Sequence, residues 1–190
     1  MNSDRILPPY NHCGTAPALQ HIAEGMYGAV VIDPPGLPPV DHEYFMLQSE
    51  FYFGQISSNA DYTKIKDFAP DAVVFNGYFD QYAYSPIKVQ HGQRIRIWVL
   101  DEGPSENSSF HVVGGIWDTV YKEGAYLLQP GPSAGGSQAL DLQPAQGGFV
   151  EFACGGGPIH LRDPQVLERG QRSCRLHPGQ LTDMAPGCRG

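Results

Sequence analysis

The strongest constraint on this chain is its punctuation. Short runs rich in β-branched and aromatic residues are cut off repeatedly by Asn-Gly, His-Gly, Glu-Gly-Pro and Gly-Gly turns. Such turns reverse an extended chain, because glycine reaches conformations closed to other residues and proline fixes its own backbone angle. The runs are Glu43 to Phe53, Ala72 to Phe75, Pro86 to Gln90, Arg94 to Leu100, Phe110 to Val113, Ser137 to Leu142 and Gly147 to Phe152. Each is read as a strand, and their spacing suits a β-sandwich. Ala60 to Phe68 reads as one or two helical turns at most, and no repeat at solenoid periods is present.

Upstream, Gly28 to Asp33 (GAVVID) is a further β-branched run, stopped by Pro34-Pro35-Gly36. A strand that closes one domain and is followed by a linker has this form. The division expected is therefore 1–35 as the C-terminal remnant of a first domain, 36–42 as linker and 43–153 as an incomplete second domain. Residues 154–190 make an aberrant tail, rich in Arg, Pro, Gly and Gln, with too few apolar residues to build a packed strand, and are expected to be disordered.

At 190 residues the chain can hold one large domain, or a domain and a fragment. Its net charge is −8, from 12 Lys+Arg and 20 Asp+Glu, and it has no basic run. That balance argues against nucleic acid and anionic membrane as partners, and in favour of small-molecule or protein partners. The N-terminus lacks the apolar core of a signal peptide, and nowhere do eighteen apolar residues run together, so the sequence reads as soluble and unexported. Of four cysteines, Cys13 lies beside a histidine and the others fall in the last quarter, which is no disulfide framework.

The chemistry concentrates in His12-Cys13, His21 and Met26, spaced H-C-x7-H-x4-M. A blue-copper site needs a thiolate, two imidazoles and a weak axial thioether, since copper cycling between two oxidation states favours soft sulfur and borderline nitrogen together. Cys13, His21 and Met26 supply three of those four donors. Adjacent side chains on a strand point to opposite faces, so His12 could hold a second copper while Cys13 holds the first. The plainer reading is a surface cysteine, two histidines and a core methionine lying close by chance.

The motif is followed by Y-G-A-V-V-I-D-P, a linker, F-N-G and S-S-F-H-V-V-G-G-I-W-D-T-V-Y. From about His12 to Phe152 the chain resembles the copper nitrite reductases and their relatives among two-domain multicopper oxidases. The resemblance implies an all-β fold: cupredoxin-like Greek-key β-sandwiches, one nearly complete domain plus a remnant of a preceding one. It implies copper of two kinds, with Cys13, His21 and Met26 matching type 1 ligands and His12 a type 2 ligand. It implies a homotrimer, a small redox protein as electron donor, nitrite or oxygen as the small-molecule substrate, and a periplasmic or extracellular setting for the intact family. Electrons would pass from type 1 to type 2 copper through Cys13 and His12, and nitrite would be reduced to nitric oxide.

His111 matches the family's active-site histidine, which helps deliver protons, and Val113 an apolar residue that crowds the substrate. A structural histidine satisfied by a backbone carbonyl is the alternative for His111. Among relatives, laccase-like oxidases would be expected to show a His-x-His pair where this chain has His111-Val112-Val113. An electron-carrying cupredoxin would need four type 1 ligands where three are seen.

The resemblance also implies ligands that the chain does not show: a further type 1 histidine, two further type 2 histidines and a catalytic aspartate. Whether this chain is itself an enzyme is therefore left open, and an incomplete fragment is expected. A reading-frame shift near Ala153 would account for the tail. Asp163 to Arg172 (DPQVLERGQR) can be encoded so that reading one base later gives T-H-K-F-S-N-V-G-K, which is close to the family's ending.

Overall fold

The computed structural model describes residues 10–56, 58–132, 135–155, 157–159 and 161–162. In chain order the first elements are β1 (Tyr10–His12), α1 (Ala18–Ala23), β2 (Tyr27–Ala29), β3 (His42–Phe51), α2 (Tyr62–Lys66), β4 (Ala72–Phe75), α3 (Gln81–Tyr84) and β5 (Ile87–Val89). They are followed by β6 (Arg94–Asp101), β7 (Ser108–Val112), β8 (Thr119–Lys122), β9 (Ala125–Leu128), β10 (Ala139–Leu142), β11 (Gln146–Ala153), β12 (Gly157–Ile159) and β13 (Leu161–Arg162).

The centre of the molecule is a six-stranded sheet ordered β4-β3-β6-β11-β8-β9. Within it β3 runs parallel to β6, and the other neighbours pair antiparallel. Against one face pack a three-stranded sheet, β10-β7-β13, and the pair β12-β5. The alternation of side chains along β6 makes this two-sided packing possible. Ile95, Ile97 and Val99 face inward, where they meet Phe110 and Val112 of β7, Leu140 and Leu142 of β10, and Val150 and Phe152 of β11.

The intervening residues of β6 face the other way and are also buried. Trp98 packs with Phe149 and Tyr121, partly roofed by Leu37, Phe45 and Tyr126. Beside them Arg96 donates to the Glu151 carboxylate at 2.7 Å, to Glu43, and to the Pro38 carbonyl. Arg94 grips Asp118 through both terminal nitrogens and reaches Glu151 at 2.9 Å. These bonds fasten the segment before β3 onto the outer face of the sheet, so the chain that carries the His-Cys motif enters the sandwich along a fixed path. Gly148 is required where β11 crosses β8, since a Cβ there would lie 2.1 Å from the Tyr121 carbonyl oxygen.

Several elements differ from the sequence expectations. Among the described residues the run Gly28 to Asp33 pairs only as far as Ala29, opposite Tyr10, and Val30, Val31 and Ile32 are exposed. The hairpin β8–β9 escaped notice because its Glu123-Gly124 turn is not a strong signal. Both residues take positive φ, 52° and 89°, the geometry that lets a two-residue turn follow the twist of its strands. Helices α1 and α3, at six and four residues, are too short to display helical periodicity. No strand was expected beyond Phe152, yet 157–159 pairs with β5 and 161–162 with β7. The remainder of the tail, from residue 163, lies outside the described residues. No helix among the described residues is long and apolar enough to cross a membrane.

Candidate metal centre

The copper motif folds as a strand, a loop, a short helix and a returning strand. His12 ends β1 opposite Tyr27, and the Cys13 amide extends the pairing by donating to the Met26 carbonyl at 2.9 Å. Between them α1 carries His21 near its end, and Ile22 of the same turn is buried. Gly25, at φ +87°, takes the left-handed position that ends a helix, and Met26 then donates to the His21 carbonyl at 3.0 Å. Closing the loop in this way brings the ligand residues back to Cys13.

The result is a thiol and an imidazole face to face, with Cys13 Sγ 3.3 Å from His21 Nδ1. Bound to one tetrahedral ion at bond lengths of about 2.3 Å for sulfur and about 2.0 Å for nitrogen, such atoms would stand roughly 3.5 Å apart. The pair therefore fits a shared metal with little movement. The Cys13 thiol is held below its ordinary value of 9.0 by the Thr15 backbone and then by His21, which favours the thiolate that a soft metal requires. Met26 is placed by its backbone, while its side chain is 52% exposed. Three of the expected type 1 donors thus lie on one loop. No group of three or more His, Cys, Asp or Glu gathers among the described residues, as follows when one of the three donors is a methionine.

His12 has a defined tautomer. Its Nδ1 lies 3.1 Å from the Cys13 carbonyl oxygen, which can only accept, so Nδ1 carries a proton. His111, on β7, is arranged alike: Nδ1 donates to the Gln138 carbonyl, just before β10. Val113 lies beyond the end of β7 and is 45% exposed. β7, which carries His111, and β1, which carries His12, belong to different sheets. Within one chain the Cys13 and His21 side chains meet, Met26 is tied to both residues through backbone hydrogen bonds, and His111 lies on a different sheet from His12.

One residue near the site was not singled out from sequence. Glu102 follows β6 and is buried, and burial pushes its carboxyl up to about 7. An acidic residue before a Gly-Pro turn reads as solvated, so nothing in the sequence marked it.

A cupredoxin-like β-sandwich with a thiolate and an imidazole closing on one point is the architecture of a copper protein. Comparison with known proteins agrees. The copper-containing nitrite reductase of Neisseria gonorrhoeae is 38% identical over 144 residues, covering 70% of this chain and 37% of that protein. The corresponding protein of Neisseria meningitidis serogroup B matches to the same extent. Among solved structures, copper nitrite reductase from Nitrosomonas europaea superposes with a TM-score of 0.70 at 29% identity, covering 87% of this chain and 59% of that one. The Cu-containing nitrite reductase from Thermus scotoductus gives 0.66 at 26%, covering 80% and 36%. More distant multicopper oxidases share the fold. No protein-family model matches the chain. The chain is a relative of the copper-containing nitrite reductases, and it spans about 37% of the length of the curated relatives it matches.

Proposed function

We propose that this chain carries the copper-ligand loop and second sandwich of a copper-dependent nitrite reductase. The observation that carries the reading is the 3.3 Å approach of Cys13 Sγ to His21 Nδ1 within H-C-x7-H-x4-M. Copper held at the two positions supplies one-electron redox chemistry, with nitrite as oxidant and nitric oxide as product.

The chain's own residues divide the remaining work. Cys13, His21 and Met26 hold the electron-entry site, facing a small redox protein as donor. His12, bonded to Cys13 through one peptide, holds the second position with Nε2, so the covalent path between the two sites is short. Loss of an oxygen from nitrite consumes protons and releases water. His111 is suited to that task, because its Nδ1 is tied to Gln138 and its Nε2 is left to hold and release a proton. Val113 presents an apolar surface that restricts what fits beside His111.

In this reading His111 and Val113 act at a site completed by another copy, which is why they lie on a different sheet from His12, and the assembly is a homotrimer. Residues 1–35 are the end of a first domain, 36–42 a linker, 43–153 the second domain and 154–190 the product of a shifted frame. The intact protein works in the periplasm or outside the cell.

Sequencing the DNA that encodes and flanks the chain tests this organisation. An open frame upstream should encode further sandwich strands with two histidines and an aspartate, and one base inserted or removed near Ala153 should restore a histidine-bearing ending. Codons incompatible with T-H-K-F in the shifted frame would refute the frame shift. For the activity, the protein extended to the length of its relatives should form nitric oxide from nitrite. Oxygen consumption without nitrite turnover would instead assign it to the oxidases.

A further inference from the structure

The ring of His111 is oriented by the Gln138 carbonyl, which accepts from Nδ1. That carbonyl belongs to a short stretch before β10 that is fixed from both sides. On one side Ser137 is pinned to Trp117 by two backbone bonds. The Trp117 amide donates to the Ser137 carbonyl at 2.8 Å, and the Ser137 amide donates to the Trp117 carbonyl at 3.0 Å. On the other side Ala139 lies opposite His111 in the pairing of β10 with β7.

The Ser137 side chain joins the two sides. Its Oγ donates to the Ala139 carbonyl at 3.2 Å, closing a ring that contains the Gln138 carbonyl carbon and restricts how that carbonyl can turn. Elsewhere a serine bonded to the backbone two residues on is a local turn device. Here its anchorage leads back to the functional side chain. Trp117 is fully buried and stacks on Phe110 with ring centroids 6.0 Å apart, and Phe110 immediately precedes His111 on β7. The contacts form a circuit from His111 through Gln138, Ser137, Trp117 and Phe110 back to His111, so a change at Ser137 is felt at the imidazole.

We propose that Ser137 is a positioning residue for His111: by fixing the Gln138 carbonyl it keeps the proton of the neutral ring on Nδ1, so that Nε2 is the nitrogen presented for proton exchange. Neutral imidazole protonates one nitrogen and not the other, and the hydrogen bond made by one of them decides which. The inference rests on the reading of His111 as the residue that delivers protons. Ser137 touches no substrate in this account and acts only through Gln138.

The test reads the His111 tautomer by nitrogen magnetic resonance of the metal-free 190-residue chain at a pH where the ring is neutral. The parent is compared with Ser137→Ala and Ser137→Thr, and a thermal midpoint is recorded for each; the His111 signals are those that His111→Ala removes. The parent should carry its proton on Nδ1. Ser137→Ala should shift the ratio of the two tautomers about 2–10-fold toward the form protonated on Nε2, the worth of one modest hydrogen bond. Ser137→Thr, which keeps the hydroxyl, should restore the parent ratio. A parent ring with its proton on Nε2 would overturn the inference whether or not the variants fold. An unchanged ratio in Ser137→Ala would also overturn it and leave the role of His111 standing. A shift that comes with a lowered midpoint and is not restored by Ser137→Thr would assign Ser137 a general structural part, with the same consequence. In the protein extended to its relatives' length, nitrite turnover untouched by His111→Ala would overturn the reading of His111 and this inference with it.

Discussion

Cys13 Sγ and His21 Nδ1 stand 3.3 Å apart at the two ends of a loop whose closure depends on the Cys13 amide and the Met26 carbonyl. Because the Thr15 backbone and His21 hold the thiol below its ordinary value, Cys13 is a thiolate over a pH range where an unassisted cysteine is not. Its alkylation by iodoacetamide should therefore reach half-maximal rate below pH 9.0. His21→Ala should move that midpoint upward. Mass spectrometry of the modified peptide separates Cys13 from the other three cysteines, and an unmoved midpoint would detach His21 from the thiol.

The outer face of the large sheet depends on Arg96. Both Arg96 and Glu151 are almost fully buried, and removing one member of a buried ion pair leaves the other uncompensated, at about 3–5 kcal/mol. Arg94 still reaches Glu151 at 2.9 Å, so Arg96→Ala should lie near the lower end, about 3 kcal/mol. Urea denaturation measures it, and a loss below about 1 kcal/mol would mean that the Arg96 side chain contributes no more than an exposed ion pair.

Asp118 provides a pH signature. The Arg94 guanidinium, bonded to both its oxygens, holds the Asp118 carboxyl below its ordinary value of 3.8. A carboxylate with a lowered folded value contributes stability that is complete above the unfolded value and is lost as pH falls through the folded one. The thermal midpoint of Asp118→Asn should accordingly lie below that of the parent at neutral pH, and the two should converge as the pH drops beneath 3.8. The gap should be small, because the pair is partly exposed. A constant gap across that range would show that Asp118 acts through shape and not charge.

Much of this was legible in sequence, and the boundary has a physical basis. Arg94 to Leu100 was legible because apolar residues alternate there with polar or mixed ones, the period of a strand, and β6 spans that run. The metal loop was legible because ligand chemistry restricts residue type. What escaped depends on contacts distant in sequence. Arg96 reads as an ordinary exposed charge until Glu43, Glu151 and Pro38 are brought around it. Glu102 reads as a turn residue until the fold buries it. The pairing of β13 with β7 is a backbone event between residues of little strand preference, which local pattern does not register.

His111 distinguishes proton delivery from structure. In the protein extended to its relatives' length, His111→Ala should lower nitrite turnover by about 10²–10⁴, the usual contribution of a general acid–base group, with the visible copper spectrum unchanged. A structural histidine would instead lower the thermal midpoint and copper occupancy together, since the Gln138 carbonyl would lose its donor. Turnover within about twofold of the parent would fall far short of that contribution and remove His111 from the mechanism.

The central claim is that Cys13 and His21 close on one copper ion. X-ray absorption at the copper edge, on the 190-residue chain loaded with one equivalent of copper, tests it in either oxidation state. The expected result is a sulfur shell at about 2.3 Å together with imidazole scattering, the sulfur contribution vanishing in Cys13→Ala and the imidazole contribution falling in His21→Ala. An environment of oxygen and nitrogen alone, indifferent to both substitutions, would contradict the account.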